Sequence, residues 1–288
     1  MNRNIFYPKI RIHTWGGLGS QLYAVALAIE IKRIFPHRNI KFICHTSGVT
    51  QREPEIQFFS KTIHTKDDFN DGFLNSSVVK RNNRQIVKNL LIKILNSTGI
   101  MQRCNNNKEF SKLKPWIVII RGHYTGVDIS SHTALEILKK IDDVFVRNKQ
   151  FDSDSLSLHY RLGDLISLKE KNPINSKLLS EIILKANKTY KSNKVYIYSD
   201  SIKVAQSELS KFFIEAEIIL RQVSALETVH ECVKSSIFIG TNSKISIWIA
   251  ILRAASPNTK KSYLPTDLKH MINHNHLFSY ITNSIIYY

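Results

Sequence analysis

The 288-residue chain is 43% hydrophobic, enough apolar side chain for one large or two compact cores, which excludes a disordered chain. A formal net charge of +18 favours partners that carry phosphate or carboxylate, whether nucleic acid, an anionic membrane surface or a nucleotide-bearing small molecule. Cys44, Cys104 and Cys232 are odd in number and never arranged as Cys-x-x-Cys, so neither a disulfide framework nor a zinc site is expected, and a reducing compartment fits.

The opening residues carry no long apolar run, and no window reaches the roughly 18 apolar residues that a membrane-spanning helix needs. The expectation is a soluble cytoplasmic protein that touches an inner membrane at most peripherally, through basic patches.

Residues 9–15 alternate polar and apolar side chains as a strand does, and Gly16-Gly-Leu-Gly19 stops the run. From Gln21 to Phe35 two apolar rows recur at helical spacing, which predicts a mostly buried helix. Residues 39–44 form a second strand, so the chain opens as a βαβ unit of a parallel sheet. Residues 47–114 are polar and rich in Asn and Lys. They predict an irregular insertion with one amphipathic run near Ile86–Leu95. Residues 115–121 predict a buried strand and 133–141 a helix, after which the charged stretch 147–154 offers a domain boundary.

The second half repeats the pattern. Strands are expected at 155–161, 194–198, 216–221 and 237–240. Helices are expected at 176–190, 202–212, 224–234 and from about Asn242, with a terminal helix near 266–274. This is a doubly wound sheet of the nucleotide-binding kind. The fold class is therefore α/β, with two Rossmann-like domains, residues 1–150 and 151–288, facing across a cleft.

Chemistry concentrates where strands end. His159-x-Arg161-x-x-Asp164 crowds the end of an apolar strand, with His159 and Arg161 on one face. One reading is an Arg161–Asp164 ion pair with His159 in the core. The other is a ligand-binding Arg161, oriented by Asp164, that grips a phosphate or carboxylate in two-pronged fashion; burial of an ion pair is costly and favours this one.

Ser199-Asp200 and Thr241-Asn-Ser243 each follow a strand and offer either a helix cap or a ligand contact. Gly17 and Gly19 sit in a turn that either lets the helix pack or presents backbone N–H groups to an anion. No Walker loop, spaced Gly-x-Gly-x-x-Gly, Gly-x-Ser-x-Gly elbow or His-Glu-x-x-His is present.

Taken in order, these segments resemble the bacterial α-1,2-fucosyltransferases, glycosyltransferase family 11. Gly16-Gly-Leu-Gly-Ser-Gln-Leu-Tyr23 is similar to that family's Gly-Gly-Leu-Gly-Asn-Gln-Leu-Phe. Arg121-Gly-His-Tyr124 stands where the family has Gly-Tyr-[Trp/Phe]-Gln. His159-Tyr-Arg-Leu-Gly-Asp164 resembles the His-x-Arg-Arg-x-Asp motif of the wider fucosyltransferase superfamily. Tyr198-Ser-Asp200 and Asn242-Ser-Lys-Ile-Ser-Ile-Trp248 are similar to its Phe-Ser-Asp-Asp and Asn-Ser-Ser-Phe-Ser-Trp-Trp segments.

The resemblance implies a GT-B-like fold and an inverting, metal-independent transferase with no cofactor beyond its donor. That donor would be a GDP-sugar, usually GDP-β-L-fucose. The acceptor would be a glycan hydroxyl, lipid-linked in some cases, in surface polysaccharide or lipopolysaccharide synthesis. The N-terminal domain would serve the acceptor and the C-terminal domain the donor.

On this reading Arg161, His159 and Asp164 are the catalytic set. Donor contacts come from Gly17, Gly19, Arg161, Ser199, Asp200, Asn242, Ser243 and Ser246, and His13, His123, Asp128 and Asp164 are candidates for the base. Leu162 replaces the motif's second Arg, so a different GDP-sugar is an alternative, with Lys244 or Arg221 as substitute cations. A nucleic-acid binder or a non-enzymatic glycan-binding module are the rivals from other classes. No nucleic-acid recognition motif accompanies the basic charge.

Overall fold

Short runs of buried β-branched and aromatic residues set the strands of two parallel sheets. The computed structural model describes residues 8–46, 53–60, 63–66, 83–145, 154–163, 174–212, 216–256, 260–273 and 284–288. The chain divides into two compact units, Met1–Ile129 and Ser130–Tyr288.

The first unit runs β1 (Ile10–Trp15), α1 (Leu18–Ile34), β2 (Ile40–His45), β3 (Ile63–Lys66), α2 (Asn83–Ser97), β4 (Met101–Arg103), α3 (Asn107–Phe110) and β5 (Ile119–Arg121). Its sheet has the order β3-β2-β1-β5-β4, with every pair parallel. Helix α1 buries both of its apolar rows from Leu18 to Ile31, while Ile34, the last of the second row, is 50% exposed. Residues 47–114, expected as an irregular insertion around one helix, also supply both edge strands. With three or four residues each, β3 and β4 are too short to show a period-2 pattern. Arg38, 3% exposed, ties this unit together by donating from its guanidinium to the carbonyls of Pro8, Pro115 and Ile117.

The second unit begins with α4 (Ser131–Phe145), followed by β6 (Leu156–His159), α5 (Ser176–Tyr190), β7 (Lys194–Tyr198), α6 (Ile202–Leu209), β8 (Glu217–Arg221) and α7 (Ala225–Lys234). It closes with β9 (Ile237–Gly240), α8 (Lys244–Ala255), β10 (Ser262–Leu264), a 3-10 turn at Thr266–Leu268, α9 (Lys269–Asn273) and β11 (Ile285–Tyr287). Helix α4 belongs here because it packs on α7 and α8. Its Phe145 ring stacks on His230 at 4.6 Å, and Asp142 lies 3.3 Å from His230 and 3.6 Å from Lys234. The division therefore falls one helix ahead of the charged stretch expected to mark it.

The parallel order β8-β7-β6-β9-β10-β11 is, counted from β6, the 3-2-1-4-5-6 sequence of doubly wound dinucleotide-binding sheets. In the first unit β1 plays the corresponding part, with β2 and β3 on one side and β5 and β4 on the other. Both units are Rossmann-like α/β domains, as the sequence pattern predicted.

Candidate functional site at the carboxyl edge of the second sheet

In an open α/β sheet the chain leaves in opposite directions from the two strands where the order reverses, and ligands settle in the crevice this opens at their carboxyl ends. In the second unit that point lies between β6 and β9, where His159 pairs with Gly240. It is also where the sequence placed its densest polar motif.

Alternation along β6 separates the motif into two faces. Leu156, Leu158, Tyr160 and Leu162 all enter the core formed with α5 and α6. Ser157 and His159 take the opposite face, bonded to Ser235 at 2.6 Å and Ser246 at 2.9 Å, and Arg161 follows them in register. Leu162 is 1% exposed. It lines a cavity of about 300 Å³ with Tyr160, Ile174, Asn175, Val204 and Glu208. A guanidinium at position 162 would therefore enter this cavity rather than lie beside Arg161, so losing the motif's second Arg does not remove a charge from the Arg161 face.

His159 is 8% exposed, and its pKa falls from 6.5 to about 4, first through burial and then through the positive charge of Arg161, against an opposing pull from Asp200. It is neutral at pH 7, and its contact with Ser246 fastens the end of β6 to α8. Thr241 completes the fastening: its Oγ1 donates to His159 O at 2.9 Å and accepts from Arg161 N at 2.9 Å, while its own N–H donates to Ser246 Oγ at 3.1 Å. Ser246 is fully buried. His159, Thr241 and Ser246 thus hold the backbone from which Arg161 projects.

Asp200 makes the matching brace from β7. Its Oδ1 accepts from the N–H groups of Leu162 at 2.8 Å and Gly163 at 2.9 Å. A Cβ at Gly163 would stand 2.9 Å from Asp200 Oδ2, so a side chain there would push against the carboxylate that makes this brace. Ser199 Oγ accepts from Ser201 N at 3.1 Å, shaping the turn into α6. Asp164 lies outside the described residues.

Ser243 caps α8, its Oγ accepting from Ile245 N at 3.1 Å. Next to it, Asn242 Oδ1 is buried with no hydrogen-bond partner among the described residues. A buried orphan acceptor at a helix amino end is costly without a donor to meet it. Lys244 opens the same helix. Arg221 is committed elsewhere: it forms a two-pronged pair with Glu231, which also accepts from Tyr198 OH at 2.7 Å.

The first unit has its own constellation at the carboxyl ends of β1, β2 and β5. His13 Nδ1 lies 3.0 Å from His45 Nε2 and 3.3 Å from Arg121 Nη2. A guanidinium only donates, so His13 Nδ1 is an acceptor and His45 Nε2 carries the hydrogen between the rings. Trp15 meets His123 edge-on at 5.3 Å. Elsewhere in this unit Asp128 donates its N–H to Asn107 Oδ1 at 2.7 Å, while its own Oδ1 is buried with no hydrogen-bond partner among the described residues.

The glycine turn already holds an anion from its own chain: Leu18 N donates to Glu55 Oε2 at 2.8 Å. Gln21 clamps the turn by donating to Gly16 O at 2.8 Å and Glu53 O at 3.0 Å, and it accepts from Glu55 N at 2.8 Å. The bond that Gly17 and Gly19 were expected to arrange for a ligand is made, at the helix's first N–H, by Glu55.

His45, Glu55 and Glu231 escaped sequence reasoning. His45 carried a usable signal, the last position of a parallel strand. The two glutamates meet partners at least ten positions away in sequence, which no local pattern shows. Among the described residues no three His, Cys, Asp or Glu side chains gather as a metal site, and no helix is long and apolar enough to cross a membrane.

No family model matches the chain, and no curated protein sequence matches it. Among solved structures it is similar to POFUT1 in complex with GDP-fucose, at 11% identity and TM-score 0.42, covering 91% of this chain and 99% of that one. It is similar also to the glycosyl transferase family 9 protein from Veillonella parvula DSM 2008, at 9% identity and TM-score 0.47, covering 91% and 82%. A third is the E. coli heptosyltransferase WaaC with ADP, at 9% identity and TM-score 0.48, covering 97% and 92%.

Proposed function

We propose that this chain is an inverting glycosyltransferase of GT-B-like architecture, moving a sugar from a nucleotide-sugar donor to a hydroxyl of a glycan acceptor. GDP-β-L-fucose is the first candidate donor and surface polysaccharide or lipopolysaccharide the setting. The observation that carries this reading is the second sheet's switch point. There, the backbone of Arg161 is tied to Thr241 at a braced strand end just ahead of α8, and Asn242 Oδ1 has no donor among the described residues.

The chemistry follows from charge. As the acceptor oxygen attacks the anomeric carbon from the face opposite the leaving group, the bond to the nucleotide breaks and negative charge grows on the diphosphate. A guanidinium fixed beforehand stabilises that charge without reorganising during the step. Asn242 Oδ1 suits a ribose hydroxyl or a base N–H, which would supply the hydrogen bond it lacks. His159, Asp200 and Ser246 act through Arg161 as positioning residues.

Acceptor chemistry falls to the first unit's carboxyl edge. Within this unit Asp128 is the favoured base, because its carboxylate oxygen, without a partner among the described residues, can take the hydroxyl proton. A folded Asp128→Asn variant that transfers at the wild-type rate would remove it from that role.

A thermal-shift screen of GDP-, UDP-, CMP- and dTDP-sugars tests the donor class, since a ligand that binds the folded state raises its melting temperature. Stabilisation by a GDP-sugar, followed by release of GDP in the presence of acceptor glycan, is the expected result. No shift with any of them refutes the proposal.

A further inference from the structure

The carboxyl half of helix α2 carries an apolar arc wider than its packing on β4 covers. Ile92 and Leu95 are half-buried on the side where the helix packs on β4, whereas Leu90, Leu91 and Ile94 are 58%, 55% and 49% exposed. At about 100° per residue these three share one arc of about 100°, with Leu95 next beyond Leu91 and Ile92 further round toward β4. Trp116, 54% exposed, continues the arc at the helix's carboxyl end, where its Nε1 donates to Thr98 O at 2.9 Å. A soluble helix ordinarily places polar residues on its outward face, and a contiguous outward patch of large apolar side chains marks an interaction surface.

The surroundings select the partner. Lys93 on the helix, Arg103 on β4, and Lys112 and Lys114 on the segment leading to Trp116 are all exposed. That segment lies alongside β4, where Gln102 bonds Lys112 O at 3.0 Å and Lys114 N at 2.9 Å. Apolar side chains with a tryptophan, bordered by cations on a chain of net charge +18, match an interface with acyl chains below and anionic headgroups above.

We infer that Leu90, Leu91, Ile94 and Trp116 form a docking surface for an anionic phospholipid bilayer, with Lys93, Arg103, Lys112 and Lys114 contacting headgroups. The surface lies outside the donor site and stands whether or not the transferase reading does. It would bring the enzyme to lipid-linked acceptors by lying on the bilayer rather than crossing it.

Co-sedimentation of the full chain with phosphatidylcholine vesicles, with and without phosphatidylglycerol, tests it. The wild-type protein is expected to pellet only with the anionic vesicles, less so as salt rises. The double variant Leu91→Asp/Ile94→Asp, at exposed positions, is expected to keep its thermal melt and to bind at least about tenfold more weakly. Lys112→Glu/Lys114→Glu is expected to weaken binding by a similar factor. Wild-type protein remaining in the supernatant, or both variants pelleting like wild type, would overturn the inference. So would a wild-type dimer that Leu91→Asp/Ile94→Asp converts to a monomer, which would make the face a subunit contact.

Discussion

At the scale of single residues, the motif around Arg161 divides its labour by strand alternation. Leu162 lies in the core on the face away from Arg161, and this makes a direct prediction. Leu162→Arg should leave affinity for a nucleoside diphosphate unchanged in a titration. A gain of about tenfold, the scale of one charge-assisted hydrogen bond, would show that the two positions share a face after all.

His159 makes a second prediction. Its pKa is lowered in the folded state, to about 4 from 6.5, so between those values the unfolded chain binds more protons and stability rises with pH. The stability due to its neutrality is present above pH 6.5 and lost as pH falls toward 4. The loss at pH 5 relative to pH 7 is on the order of 2 kcal/mol. His230, whose pKa is lowered first by burial, adds in the same direction. Urea melts at the two pH values read this out, and His159→Gln should flatten the dependence; a variant as pH-sensitive as the wild type would contradict it.

At the scale of elements, what could be read in the sequence was whatever repeats over many residues. The two buried rows of α1, the helices α5 and α7, and the apolar strands β7 and β9 announced themselves through periodicity. The short strands β3, β4, β10 and β11 did not, being three or four residues long with no room for a pattern. Of the site, the strand-end positions of Arg161, Asp200 and Asn242 were legible. The division between Arg161, which projects, and His159, Asp200 and Ser246, which brace, was not, because it depends on contacts dozens of residues apart.

Arg253 on α8 shows the same limit. Fully buried and with no carboxylate partner among the described residues, it donates to the carbonyls of Cys232, Val233, Ser235, Ser236 and Lys261 and to Ser262 Oγ, and burial lowers its pKa to about 9. It gathers the ends of α7, β9 and β10 around α8. Arg253→Met should cost roughly 3–5 kcal/mol in urea unfolding, because it orphans several buried carbonyls at once. A loss below about 1 kcal/mol, the size of one ordinary hydrogen bond, would mean that those carbonyls find other donors.

At the scale of the whole molecule, two doubly wound sheets each present a switch point with its own chemistry. The first gathers imidazoles and a guanidinium; the second gathers Arg161, an amide oxygen with no partner among the described residues and a helix amino end. The net charge of +18 fits both a phosphate-bearing donor and the exposed basic rim around α2. The central claim is that Arg161 holds the diphosphate of a nucleotide-sugar. Calorimetric titration of GDP into the wild-type protein and Arg161→Ala, with circular dichroism to establish that both are folded, tests it most directly. The account predicts binding by the wild type and a loss of at least about 30-fold in the variant, as expected for removing a charge-assisted contact. Equal affinity in the two proteins would contradict it.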